Sequence, residues 1–172
     1  MNENLLMRSQ DLCVYFPGRT RRSGTVHAVE HVSLDIYRGE TLGIVGESGC
    51  GKSTLGRSLI RLIEPTGGSI LFEGQNISSL KGAALKEMRK NVQIIFQDPS
   101  ACLNPRRTVK KILMEPFEIH HMTGQMDVNA RILELLHLVG MDEYHLSRYP
   151  HELPAGRNSA SASPGPWPWS RS

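Results

Sequence analysis

The run Gly46-Glu47-Ser48-Gly49-Cys50-Gly51-Lys52-Ser53, followed by Thr54, fits the pattern G-x-x-x-x-G-K-[ST]. It constrains the fold more than any other feature, because its chemistry works only between a strand and a helix. The glycines let the backbone turn tightly and bring several N–H groups to one point. A helix opening at Lys52 adds the positive end of its dipole. Lys52 supplies a full charge for β- and γ-phosphates, and Ser53 offers its hydroxyl to Mg2+. A hydrogen bond to a charged group contributes roughly 1.5–3 kcal/mol, so several of them hold a nucleotide without a deep apolar pocket. The expected ligands are ATP and Mg2+, held by Gly46, Glu47, Ser48, Gly49, Cys50, Gly51, Lys52, Ser53 and Thr54. Two blander readings stand beside this one. The run can be a glycine-rich turn with an incidental lysine. Cys50 can be read as a redox site, although no partner cysteine lies near it.

The surrounding sequence supplies the required context. Thr41 to Val45 is short, apolar and bounded by glycine, as a buried strand is. Lys52 to Ile63 switches to helical spacing, with Leu55, Leu59, Leu62 and Ile63 on one face and Pro65 as the stop. Upstream, Leu12 to Phe16 and Val26 to Ile36 read as a half-buried antiparallel pair, joined through Pro17, Gly18, Ser23 and Gly24. Ser69 to Glu73 is another strand, with turns at Gly67-Gly68 and Gly74. Ala83 to Lys90 is helical and Val92 to Gln97 a strand. Thr108 to Ile119 and Asp127 to Val139 read as helices. The second has the stripe Val128, Ile132, Leu135, Leu136 and Val139, with Asp127 as cap and Gly140 as stop. The sum is α/β with an antiparallel portion at the front.

Composition excludes little but agrees. A net charge of +3 is too small to argue for nucleic acid. The cluster Arg19, Arg21 and Arg22 reads as a solvated loop. No apolar run approaches the ~18–20 residues that span a membrane. The start at Met1 to Asn4 does not read as a signal peptide. Cys13, Cys50 and Cys102 have neither metal nor disulfide spacing, which suits a reducing compartment. His120, His121, His137 and His151 show no defensible metal geometry, and His137 reads as a core histidine.

A second landmark narrows the choice. Val92-Gln93-Ile94-Ile95-Phe96-Gln97-Asp98-Pro99, about forty residues after the lysine, reads as a strand ending in a glutamine. A side-chain amide there can ligate Mg2+ and hydrogen-bond a water, or it is simply a polar strand end. Together with Leu55-Gly56-Arg57, Pro65-Thr66-Gly67-Gly68, Leu103-Asn104-Pro105-Arg106 and Arg148-Tyr149-Pro150-His151-Glu152-Leu153, these residues resemble the ATP-binding subunits of ABC transporters. The likeness is to the subunits of bacterial dipeptide and oligopeptide importers, and it covers about residues 5 to 153. The resemblance implies the N-terminal part of a P-loop ABC ATPase fold and a transport-coupled ATPase. Gly46 to Thr54 is then the Walker A loop. Gln97 is the Q-loop glutamine, a metal ligand beside Ser53 that couples to the membrane subunit, and roughly Asp98 to Glu115 face that subunit. Phe16, beside Tyr15, matches the aromatic that stacks on adenine, worth ~1–3 kcal/mol; its alternative is a core residue of the front sheet. The implied partners are permease subunits, a second ATP-binding subunit and an extracytoplasmic peptide-binding protein, with no nucleic acid. The implied location is peripheral, on the cytoplasmic face of the inner or plasma membrane.

The likeness fails after Leu153. The family continues with Ser-Gly-Gly-Gln, whereas here Pro154-Ala155-Gly156-Arg157-Asn158 follows, and no strand ending in Asp-Glu and no switch histidine appears later. Residues 154–172 show no periodicity and read as an aberrant, disordered tail, against residues 1–153 as the N-terminal part of the nucleotide-binding domain. Read two bases out of phase, the codons of Pro154 to Trp169 permit Gly-Gly-x-Gln-Gln-Arg-Ile-Gly-Ile-Ala-Arg-Ala-Leu-Ala-Leu, which resembles the family's signature and following helix. A frameshift, natural or from sequencing, is the expectation. Three functional readings follow: a transport ATPase subunit, another P-loop ATPase such as a kinase or DNA-repair enzyme, and a non-catalytic nucleotide-binding fragment. Ile44, Val45, Ile94 and Ile95 are expected to lack part of their cover, leaving the chain unstable or aggregating.

Overall fold

The computed structural model describes residues 4–18, 24–97, 102–122, 124 and 126–153. The disordered-tail expectation for 154–172, the arginines of the basic cluster, and Asp98 and Pro99 lie outside the described residues. The chain divides between Val92 and Gln93 into two compact units.

The first unit is built on a four-stranded antiparallel sheet. Strand β1 is Leu5–Pro17, β2 is Thr25–Tyr37, β3 is Gly67–Phe72 and β4 is Gln75–Asn76, in the order β2-β1-β3-β4. The expected antiparallel pair is present, with β1 reaching further upstream than the apolar pattern indicated. The imperfect alternation has a structural cause. Met7 and Ser9 are buried, then Leu12 and Val14, so the inward face changes parity between them. The β1–β2 register slips between Ser9 and Leu12 and slips back between Leu12 and Val14. Asp11 (φ 52) and His31 (φ 50) are the extra residues of two compensating bulges, one per strand. Asp11 accepts from His31 Nδ1 at 2.7 Å, and the Asp11 N–H donates to Ser33 Oγ at 2.9 Å. Strand β3 follows the bend only because Gly68 (φ 76) lacks a Cβ, which would stand 2.3 Å from the Asp11 carbonyl oxygen.

Helix α1, Lys52–Leu59, buries Leu55 and Leu59 in the core of Met7, Leu12, Val14, Val29, Ile70, Phe72, Ile77 and Met88. It ends four residues before the expected Ile63. Arg61 takes a left-handed φ of 57, and the Leu62 N–H reaches back to the Arg57 carbonyl at 2.8 Å, a Schellman closure without glycine. The strained residue is held because its buried guanidinium donates to the Ile77 and Leu80 carbonyls at 2.9 and 3.0 Å. Leu62 is thereby left exposed, contrary to its expected place on the apolar face. Helix α2 is Gly82–Met88, running into a 3-10 turn at Arg89–Asn91. Thr66 ties the approach to β3 onto β1: its hydroxyl donates to the Cys13 carbonyl at 3.0 Å and accepts from the Tyr15 N–H at 3.1 Å.

Two expected strands are absent. Thr41 to Val45 forms no strand and each of its residues is exposed, and Val92 to Gln97 forms none either. Val45 is 93% exposed and Ile95 68%. A strand is a paired object, and β-branched residues do not make one without a neighbouring backbone to complete the ladder.

The second unit holds helix α3, Val109–Ile119, and helix α4, Val128–Leu138. They share a core of Val109, Phe117, Val128, Ile132, Leu136, Met141 and Leu153. Asp127 caps α4 as expected, accepting from the Asn129 and Ala130 N–H groups at 3.0 and 3.1 Å, and Gly140 (φ 69) closes it. The Tyr149-Pro150-His151-Glu152-Leu153 stretch is a 3-10 turn at Pro150–Glu152, with the Glu152 carboxylate accepting from the Tyr149 N–H at 2.7 Å and Leu153 buried in this core. Asn104 makes a plain turn, its side chain accepting from the Arg106 N–H at 3.0 Å.

Candidate functional site

The phosphate loop lies at the surface of the first unit. Every residue from Thr41 to Cys50 is exposed, and the chain enters α1 at Lys52. Lys52, Ser53 and Thr54 therefore occupy the first helical turn, where backbone N–H groups have no intrahelical acceptor. Ser53 is exposed; Lys52 and Thr54 are half-buried. No acidic residue lies in that turn to compete for the positive helix end.

The Lys52 ammonium folds back over its own loop. It donates to the Gly46 carbonyl at 2.7 Å and the Glu47 carbonyl at 2.5 Å, and stands 3.5 Å from Cys50 Sγ. A polyphosphate oxygen is a stronger acceptor than a carbonyl, so the ammonium can exchange these contacts for charge-assisted ones. Gly51 is the residue for which no substitute fits. Its φ is 92, and a Cβ would stand 2.0 Å from the Ala28 carbonyl oxygen of β2. Gly49 also has a positive φ of 82, but a Cβ there meets nothing within 4 Å. The loop thus packs against the front sheet on one side and faces solvent on the other. Ammonium, hydroxyl and uncommitted N–H groups form a donor set suited to a polyanion with its counter-cation.

The aromatic residues at the end of β1 divide between two environments. Phe16 is 38% exposed and pairs with Val26 across the hairpin, so it is not a core residue of the sheet. Tyr15 stacks on His27, with ring centroids 4.1 Å apart and planes 25° apart. Hydrogen bonding with the Cys13 side chain, then burial, push the Tyr15 hydroxyl up to about 12. The stack could not be read from the sequence, because Tyr15 meets His27 only through a further register slip between Val14 and Tyr15. The Ala28 carbonyl beneath Gly51 was equally invisible, since a backbone oxygen has no residue-type signal.

Gln97 falls in the second unit, at the end of an irregular exposed run rather than at the end of a strand. His137, expected in the core, is exposed; it borders a shallow open depression with Ala130, Leu133, Glu134 and Leu138. The residue sits one position beyond the buried Leu136, which turns it out of the stripe. The buried histidine is instead His145, whose Nδ1 lies 3.1 Å from the Asp142 N–H it caps. Cys13 is buried, and Cys50 and Cys102 are exposed. Among the described residues no cluster of histidine, cysteine, aspartate and glutamate could hold a metal ion, and no helix is long and apolar enough to cross a membrane.

Comparison with known proteins agrees with this geometry. The model of the ABC transporter family matches residues 29–161. The oligopeptide transport ATP-binding protein AppF of Bacillus subtilis is 49% identical over 161 residues, covering 91% of this chain and 49% of that protein. OppF of the same organism, also an oligopeptide transport ATP-binding protein, is 52% identical over 136 residues, covering 78% of this chain and 45% of its own length. The glutathione import ATP-binding protein GsiA of Escherichia coli is 46% identical over 156 residues, 88% of this chain and 25% of that protein. The chain therefore spans about half or less of these curated relatives. Among solved structures, the dimeric ATP-binding cassette MJ0796, in a post-hydrolysis state with ADP and Pi, superposes with a TM-score of 0.73 at 25% identity, covering 91% of this chain and 67% of that one. With the family model matching well over half of its residues, the chain belongs to the ABC transporter family.

Proposed function

We propose that this chain is the N-terminal part of an ATP-binding subunit that powers peptide uptake through an ABC permease. The observation that carries the reading is the Gly46-to-Ser53 loop running directly into α1, with Lys52 in the first helical turn. The oligopeptide and glutathione import subunits among its relatives support the substrate class.

Each residue has a defined task in this reading. The Gly49 to Ser53 backbone gathers phosphate oxygens, and Gly51 lets the loop lie against Ala28. Lys52 leaves the Gly46 and Glu47 carbonyls for the β- and γ-phosphates. By the family resemblance Ser53 would be a ligand of Mg2+, which would neutralise phosphate charge, and Gln97 would be the glutamine that senses the metal. Phe16 offers its exposed ring to the adenine. The subunit works peripherally, at the cytoplasmic face of the membrane, with permease subunits, a second ATP-binding subunit and an extracytoplasmic peptide-binding protein. Residues 1–153 are the domain portion, and residues 154–172 are a tail read out of frame. The gene's DNA tests the last point: a shifted frame encoding Gly-Gly-x-Gln-Gln-Arg beside Leu153 supports it, and the lack of one removes it.

A second reading concerns the chain on its own. Residues 154–172 contain no aspartate or glutamate. Without a carboxylate downstream of Leu153 to act on water, the isolated chain binds nucleotide but does not turn it over. Equilibrium binding of labelled ATP with Mg2+, compared between the chain and Lys52→Ala, tests the cradle: saturable binding that the substitution weakens is expected. Equal binding by both would overturn the phosphate role. Steady ATP turnover abolished by Lys52→Ala would refute the non-catalytic reading.

A further inference from the structure

The phosphate loop rests on a residue that stands out of register in the front sheet. Val14 pairs with Val29 and Tyr15 with His27, so Ala28 is an extra residue of β2, opposite no residue of β1. Such a residue falls out of the ladder and re-aims its strand. Here the Ala28 carbonyl oxygen lies against Gly51, where a Cβ would stand 2.0 Å from it. Gly51 is in turn the cap of α1: its carbonyl accepts from the Leu55 N–H at 2.8 Å, and Lys52 and Ser53 follow it directly. The position of Ala28 therefore sets where the ammonium and the hydroxyl of the loop stand.

Register pairing does not fix Ala28, so the side chains beside it carry that task. Two contacts flank it. His27 Nδ1 lies 3.0 Å from Glu30 Oε1, across Ala28 and Val29, and the His27 ring stacks on Tyr15 with centroids 4.1 Å apart. The Glu30 contact is exposed on both sides and contributes little. The stack is the stronger of the two, and it ties the residue just before Ala28 to the opposite strand. We infer that the Tyr15–His27 stack positions the phosphate loop, by holding Ala28 where its carbonyl sets Gly51 and with it Lys52 and Ser53. Both are positioning residues that act through Ala28. The inference rests on the reading of this loop as a nucleotide cradle. It places the effect on phosphate binding, apart from the base assigned to Phe16.

The test compares the full chain with His27→Ala, His27→Phe and Tyr15→Leu. In nucleotide-free chain, His27→Ala and Tyr15→Leu should move the backbone carbon shifts of Gly51 and Lys52, and His27→Phe, which keeps a ring to stack, should restore them. Affinities for ATP and for inorganic tripolyphosphate, each with Mg2+, should fall together in His27→Ala by about three- to tenfold, the factor an aromatic pair contributes, and recover in His27→Phe. A general loss of stability would not return with a phenylalanine or single out the loop. Unmoved shifts, unchanged affinities, a loss seen for ATP but not tripolyphosphate, or no recovery in His27→Phe would each overturn the inference. The shifts are read without nucleotide, so they decide the positioning by themselves; ATP binding indifferent to Lys52→Ala counts against the cradle instead.

Discussion

Two stretches of the first unit are equally strand-like in sequence and end up differently. Leu12 to Phe16 lies in a paired strand with Leu12 and Val14 fully buried, whereas Thr41 to Val45 is unpaired and exposed. The difference is not propensity. Strand β1 finds β2 across the short connection at residues 18–24 and finds β3 on its other edge. The run before the loop has no such neighbour in this chain. Side-chain burial and backbone pairing come together or not at all, because an unpaired buried amide costs as much as a lost hydrogen bond. The phosphate cradle thus sits at the junction of a closed sheet and an open run, touching the first through Gly51 and Ala28 and continuing the second through Gly46.

The sharpest way to break this contrast is truncation on either side. Ile70→Ala, at a fully buried position of β3, should destabilise the first unit by about 2–5 kcal/mol, while Val45→Ala should stay within about 0.5 kcal/mol. Denaturant unfolding of both variants checks it, and similar costs would mean that the run is covered after all. Lys52→Ala should weaken ATP binding by at least about tenfold, the loss of one charge-assisted hydrogen bond of ~1.5–3 kcal/mol, with the melting of nucleotide-free chain unchanged. Gly56→Ala, where a Cβ on helix α1 meets nothing within 4 Å, should stabilise the unit by about 1 kcal/mol. The same change at Gly51 should displace the loop from β2 and cost nucleotide affinity, seen as altered chemical shifts around Ala28.

The smallest effects come from charge. The Arg8 guanidinium, 2.6 and 2.5 Å from the Asp35 oxygens, holds that carboxyl below its ordinary value. A lowered carboxyl stabilises the fold above its unfolded value, and the stability is lost as pH falls through the folded one. Hydrogen bonding to Asp11 raises His31, so that pair has the opposite sign: it helps below the ordinary histidine range and fades as pH rises through the folded value. Thermal scans of Asp35→Asn at acid pH and His31→Gln across neutral pH should each lose the corresponding dependence. The His31–Asp11 pair is exposed and the Arg8–Asp35 pair half-buried, so only small shifts are expected.

Much of this was legible in the sequence for identifiable reasons. The hairpin pattern, the capping of α4 by Asp127 and its stop at Gly140 are local, and local chemistry decides them. The phosphate loop is legible because its residue types and spacing are the function. The bulges at Asp11 and His31 were not, because two slips that cancel leave the overall pairing intact and blur only the alternation. Arg61 ended α1 early through carbonyls sixteen and nineteen residues away, which no helix-stop signal encodes. The expected strands at Thr41 to Val45 and Val92 to Gln97 were misread in this chain because periodicity reports what a segment can pair with, not whether the partner is there.

Amide hydrogen exchange on the purified chain tests the central contrast most directly. The account predicts that the amides of Leu12 to Val14 are strongly protected while those of Thr41 to Val45 exchange at the rate of an unstructured peptide. Comparable protection in the two stretches would contradict it.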